Sequence, residues 1–194
     1  MKKIFGFLAV LATLVLAALS SGTYNMASTE KHWAITEKII AWVRDNSIEA
    51  YAKDLQVPAL DSERMRLQGA EHYNAMCTTC HLAPGMQSTE LSLGLYPQAP
   101  KFFERAPFKD QTERLARARA YFWVIKNGLK MTAMPAWGLS HDDDSIWAMT
   151  AFLLELNAMT PEQYRQLVQT AKAQFDDHSH QDQSMHEQHQ HTHE

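Results

Sequence analysis

The sequence predicts an all-α protein, with one core domain and helical extensions at both ends. Two observations carry this. Helix-starting residues recur along the chain, each ahead of apolar residues at helical spacing: Ser28 or Thr29, Asp61 or Ser62, Asp110 to Glu113, Ser140 or Asp142, and Thr160-Pro161. One of the resulting helices ends in Cys77-Thr78-Thr79-Cys80-His81, two thiols one helical turn apart with an imidazole directly after them. The chain has 194 residues with 45% apolar content, enough for one substantial core. Its net charge of −4 is mild and there is no concentrated basic face, so no nucleic-acid partner is expected.

The Cys-x-x-Cys-His spacing has its own chemical reading. Two thiols at i and i+3 can each form a thioether to a haem vinyl group, and the histidine that follows is then held under the iron. Cys77 and Cys80 are therefore expected to attach one covalent haem c, with His81 as its proximal ligand. A zinc site fits poorly, because the chain has no third cysteine to supply ligands at finger or ribbon spacing. A thioredoxin-like pair fits poorly too, since it should follow a strand in a βαβ pattern.

Residues 1–22 are an export segment: Lys2-Lys3, an almost wholly apolar run from Ile4 to Leu19, then the small, polar Ser20-Ser21-Gly22. Ala18-Leu19-Ser20 is an acceptable cleavage site, yet the run is close to a minimal membrane span, so both a signal peptide and a membrane anchor stay open. In either case everything after Thr23 is delivered outside. The expected location is the periplasmic side of the inner membrane, soluble after cleavage or tethered.

Residues 23–60 form an amphipathic helical extension. Its helix is expected from Ser28 to about Asn46, with Trp33, Ile39, Ile40 and Val43 on one side, widened by Ile35 and Trp42, while Glu30, Lys31, Lys38 and Arg44 face elsewhere. Such a face packs on the globular domain or spaces it from a membrane; docking to a partner or a membrane surface is the other use. Ser47 to Gln56 adds a short second turn, and Val57-Pro58-Ala59-Leu60 reads as a linker.

Residues 61–157 make the core domain. Its first helix, Glu63 to about Met76, places Gly69 and Tyr73 eight and four residues before Cys77, on one face. A helix-interior glycine costs about 1 kcal/mol against alanine, so another element is expected to cross closely there. Leu82 to Pro107, punctuated by Pro84, Gly85, Gly94, Pro97 and Pro100, reads as loop. The Asp110 to Glu113 box opens a helix bearing Leu115, Ala118, Tyr121, Phe122 and Ile125, stopped by Asn127-Gly128. The irregular stretch from Gly128 to Gly138 follows, where Pro135 stiffens the chain after Met134. A thioether from this loop can fill the second axial position and raise the reduction potential; Met134 is the first candidate and Met131 the second. The acidic run Asp142 to Asp144 suits a helix start. His141 beside it reads as solvated, and so do His72 and His32.

Gly69, Tyr73, Cys77, Cys80 and His81, together with Met149, Ala151 and Phe152 and the loop containing Asn127-Gly128, Thr132, Met134-Pro135-Ala136 and Trp137, resemble class I cytochromes c. The loop is most similar to that of the cytochrome subunit of cbb3 oxidases. The resemblance covers roughly Asp61 to Asn157 and implies a class I cytochrome c fold wrapped around one haem. It implies that Gly69 and Tyr73 pack against a C-terminal helix from Ser145 to Leu156, and that Trp137 lines the haem. It implies iron between His81 and Met134, with a carbonyl or proline after the motif, Pro84 or Pro100, holding the imidazole proton. The implied activity is carriage of single electrons between redox protein partners or to a membrane oxidoreductase, with no substrate bond broken.

Residues 158–176 open on Thr160-Pro161-Glu162-Gln163 and carry a thin stripe of Tyr164, Leu167 and Ala171, a surface helix to about Phe175. Residues 177–194 hold six of the ten histidines, His178, His180, His186, His189, His191 and His193, in a setting too polar for a core. A disordered tail is expected, a candidate site for copper, nickel or zinc. Two alternatives follow: a haem protein coupled to metal handling through this tail, or a cytochrome subunit of a larger oxidoreductase.

Overall fold

In the computed structural model the backbone is described for residues 2–190 and the side chains for residues 2–175. Among the described residues the chain is helix, turn and loop without a strand, as the capped, periodic segments predict. It divides into two compact units, Met1–Trp42 and Val43–Glu194.

The first unit opens with α1, Lys2–Ser20, a 19-residue helix with no buried residue, long and apolar enough to cross a membrane. Helix α2, Ala34–Ala52, starts at Ala34 rather than near Ser28. The intervening chain is held in turns instead: the Tyr24 hydroxyl meets His32 Nδ1 at 2.7 Å, and its ring meets Trp33 edge-on at 4.8 Å. Nothing in α2 breaks at Asn46, and the expected second turn is simply its continuation.

The second unit is organised around two crossing helices, α3 (Glu63–His72) and α7 (Asp143–Leu153). Gly69 is the point of closest approach. A Cβ built there would overlap the Ala148 carbonyl oxygen and lie 2.7 Å from Phe152 Cβ. The glycine thus gives up helix propensity for an approach no other residue permits. Asp142 caps α7, its carboxylate accepting from Ser145 N at 2.8 Å, whereas Ser62 stands at the start of α3 without a side-chain bond. Around the crossing, Tyr73, Ile146, Phe152 and Leu156 are fully buried, and Phe122 stacks on Trp147 with centroids 4.0 Å apart.

Past His72 the helix does not run on evenly to Met76. It widens into one π-helical turn, Tyr73–Cys77, and resumes as α4, Thr78–His81. The long loop after it contains a short helix, α5 (Glu90–Gly94), closed by a Thr89 capping box, and a 3-10 turn at Phe102–Glu104. Helix α6, Gln111–Asn127, begins on Asp110, whose carboxylate accepts from Glu113 N at 2.8 Å. The Glu113 carboxylate reaches back to Lys109 N at 3.0 Å, one residue before the position a strict capping box uses.

Helix α8, Pro161–Gln190, starts on a reciprocal Thr160–Gln163 box and buries Tyr164, Leu167, Val168 and Ala171. It continues past Phe175, where the sequence reading ended it, because no Gly or second Pro interrupts it before Gln190. The side chains of His178, His180, His186 and His189 lie outside the described ones, and His191 and His193 lie outside the described residues.

Adding one methyl group at the α3–α7 crossing tests this account. Gly69→Ala is expected to destabilise the protein by about 1–3 kcal/mol, the usual cost of overpacking a tight core, measured by chemical denaturation. A change within a few tenths of a kcal/mol would show that the crossing is looser than described.

Candidate haem site

A cavity of about 730 Å³ opens beside the α3–α4 junction, within the 300–1,000 Å³ range of sites for large ligands. Cys77, Cys80, His81 and Met134 all line it, so the fold brings together the four residues singled out from sequence. Its walls are mostly apolar: Tyr73, Met76, Phe102, Tyr121, Ile125, Leu129, Trp137, Met149 and Leu153 among them.

Each functional side chain is aimed by local bonding. His81 Nδ1 lies 2.8 Å from the Pro100 carbonyl oxygen. A carbonyl cannot donate, so Nδ1 carries the proton and Nε2 keeps its lone pair. Of the two prolines offered by the sequence, Pro100 is the partner. Burial holds this imidazole below the ordinary histidine range and nearby Arg105 adds to that, outweighing the opposing Pro100 bond. The neutral, metal-ligating form is thereby favoured. Directly after His81, Leu82 sits at φ 58°, a left-handed conformation that leucine rarely adopts. The buried Tyr73 hydroxyl holds it there, donating to the Leu82 carbonyl at 2.6 Å.

Burial pushes the Cys77 thiol up to about 12, with neighbouring Cys80 adding to the effect. A thiol kept protonated is a poor redox nucleophile, which argues against the thioredoxin-like reading. Among the described residues no group of three or more His, Cys, Asp or Glu is placed to hold a metal ion.

The loop after α6 folds back on itself. Leu129 N donates to Met134 O at 3.2 Å, Thr132 Oγ1 donates to Leu129 O at 2.8 Å, and Met134 N donates to Thr132 Oγ1 at 3.1 Å. Gly128, at φ 67°, makes the closure possible: a Cβ there would come within 2.8 Å of Met134 O and Ala136 N. The two candidate methionines part company. Met134 is half-buried on the cavity wall, whereas Met131 is 84% exposed and also left-handed at φ 59°.

Two thiols one turn apart, an imidazole with a free Nε2 and a thioether, converging on one apolar cavity, are the donor set that covalent haem c requires. The residues present fit the group.

Some contributors were not anticipated. Arg105 donates to the Tyr121 hydroxyl at 2.9 Å and lies over the Phe102 ring, 5.1 Å from its centroid. Its one sequence signal was a cation within the run Phe102-Phe103-Glu104-Arg105. Arg44, Ile48 and Ala52 of α2 also line the cavity, a stripe at spacing four that was legible in principle.

Residues 65–153 match the family described as cytochrome c oxidase, cbb3-type, subunit III. This match, over somewhat less than half of the chain, and the strand-free helical fold of the described residues support a class I c-type cytochrome domain in this segment. The family implies covalently bound haem c and a role in electron transfer rather than catalysis. No curated protein and no solved structure matches the chain.

His72 and His141, both expected in solvent, meet instead across the α3–α7 contact, ring centroids 5.3 Å apart. Burial lowers the His72 pKa, and of the nearby charges His141 lowers it further while Glu71 and Asp142 raise it. A histidine whose folded pKa is depressed supports stability above its unfolded value, and that support is lost as pH falls below about 6.5. His72→Gln is therefore expected to flatten the loss of stability between about pH 7 and about pH 5. Denaturation midpoints across that window check it; an unchanged slope would count against it.

Proposed function

We propose that this chain is an exported monohaem c-type cytochrome that passes single electrons between redox partners on the periplasmic side of a membrane. In this reading Cys77 and Cys80 hold one haem c by thioethers, and His81 and Met134 are the axial ligands. The observation that carries it is the convergence of these four residues on one apolar cavity, with the His81 proton committed to Pro100.

Bound haem c supplies a one-electron ferric/ferrous couple. The chain's own residues do the rest. Pro100 fixes the imidazole tautomer, and the Gly128-closed loop presents the thioether. Phe102, Tyr121, Met149 and Leu153 exclude water, which disfavours the more highly charged ferric form and raises the potential. The apolar helix α1 supports export, as a signal peptide or as a tether. A second reading, a cytochrome subunit of a larger oxidoreductase, is favoured by the family description and uses the same site.

A pyridine haemochrome spectrum of the exported protein is expected to be of the c type, at one haem per chain. Met134→Ala is expected to lose the iron–thioether band and lower the reduction potential, while Met131→Ala keeps both. The reverse pattern would overturn the ligand assignment.

A further inference from the structure

The family match begins at residue 65, yet the cavity has a wall from well before it. Arg44, Ile48 and Ala52 face the cavity along one stripe of α2, with Asp45, Glu49 and Lys53 beside them. This part of α2 is fastened to the core domain at several points. Ala52 is only 3% exposed. The Tyr51 ring stacks on Trp123 of α6, centroids 5.9 Å apart and planes 16° apart. Arg119 Nε donates to the Leu55 carbonyl at 3.0 Å, and Leu60 is buried in the core with Leu55 and Val57 packed against it. The small side chains of Ala116 and Ala120 line the same cavity from α6.

We propose that residues 44–53 of the N-terminal extension are a built-in wall of the haem crevice that tunes its reduction potential. The proposal rests on the haem reading above. Ile48 and Ala52 keep water from this side of the crevice, so a charge placed at residue 48 is felt at the iron more strongly than one across open water, while the exposed Arg44, Asp45, Glu49 and Lys53 beside it act more weakly through solvent. The ferric state carries one more positive charge than the ferrous, so a negative charge placed in this wall favours ferric and a positive one favours ferrous. The extension is then a positioning and tuning element of the redox site, beyond any use as a spacer.

The test is redox titration of the full-length, haem-loaded protein carrying Ile48→Glu or Ile48→Lys. The Glu variant is expected to sit below the Lys variant by about a tenfold change in the ferric-to-ferrous ratio at fixed solution potential, about 59 mV for a one-electron couple, with the thioether band intact in both. Lys53→Glu, an exposed position that folding should tolerate, is expected to lower the potential in the same sense. The same charge change at Lys172, exposed on α8 and outside the cavity lining, is expected to leave it unmoved. Equal potentials for the two Ile48 variants, or a Lys53→Glu shift no larger than that of Lys172→Glu, would overturn the proposal. A wild-type protein lacking the haem c spectrum or the thioether band would instead sink the haem reading itself, so the two failures are told apart.

Discussion

The contact on which the rest of this structure depends is between a hydrogen atom and a carbonyl: Gly69 of α3 against Ala148 of α7. With no side chain at residue 69, the two helix backbones approach closely, and the spacing of everything they carry is set. The chain that runs on from α3, through the π-helical turn and α4, carries Cys77, Cys80 and His81 to the cavity; α7 delivers Met149 and Leu153 to its wall. Tyr73 and Phe152, ring centroids 5.3 Å apart, fill the angle between them. The distance from motif to apolar floor is thus a property of one residue that has no side chain.

Packing sets the coarse frame, and hydrogen bonds in irregular backbone set the aim. The π-helical turn at Tyr73–Cys77 releases the motif from the regular helix, the Tyr73 hydroxyl holds Leu82 in a left-handed conformation, and the Pro100 carbonyl orients His81. Such irregularity costs free energy locally and persists where surrounding contacts determine it. Tyr73 serves both levels, as a buried ring in the core and as the hydroxyl that pins the residue after His81.

What was legible in the sequence was what local chemistry dictates. Asp110, Asp142 and Thr160 cap as expected, because a cap is decided within four residues of chain. Gly69 announced a crossing by being a glycine inside a helix, and Met134 announced its place through the following proline. What was not legible depended on distant partners. Nothing near Pro84 or Pro100 distinguishes them until the loop is folded, and the approach of His72 to His141 exists only because α3 crosses α7. Helix α2 starts at Ala34 and not near Ser28 because Tyr24, His32 and Trp33 engage one another and keep the preceding chain in turns. Helix α8 runs past Phe175 because its polar composition contains no Gly or second Pro to stop it before Gln190.

The loop closed by Gly128 has a further consequence. Met134 is held by Leu129, Thr132 and the glycine turn itself, bonds that do not involve the prosthetic group. If His81 and Met134 held a haem iron, both would be presented from backbone already hydrogen-bonded without it, through Pro100 on one side and the Leu129–Thr132–Met134 loop on the other. Such a pre-set scaffold would leave the chain little to rearrange on gain or loss of an electron, which would favour a small reorganisation energy.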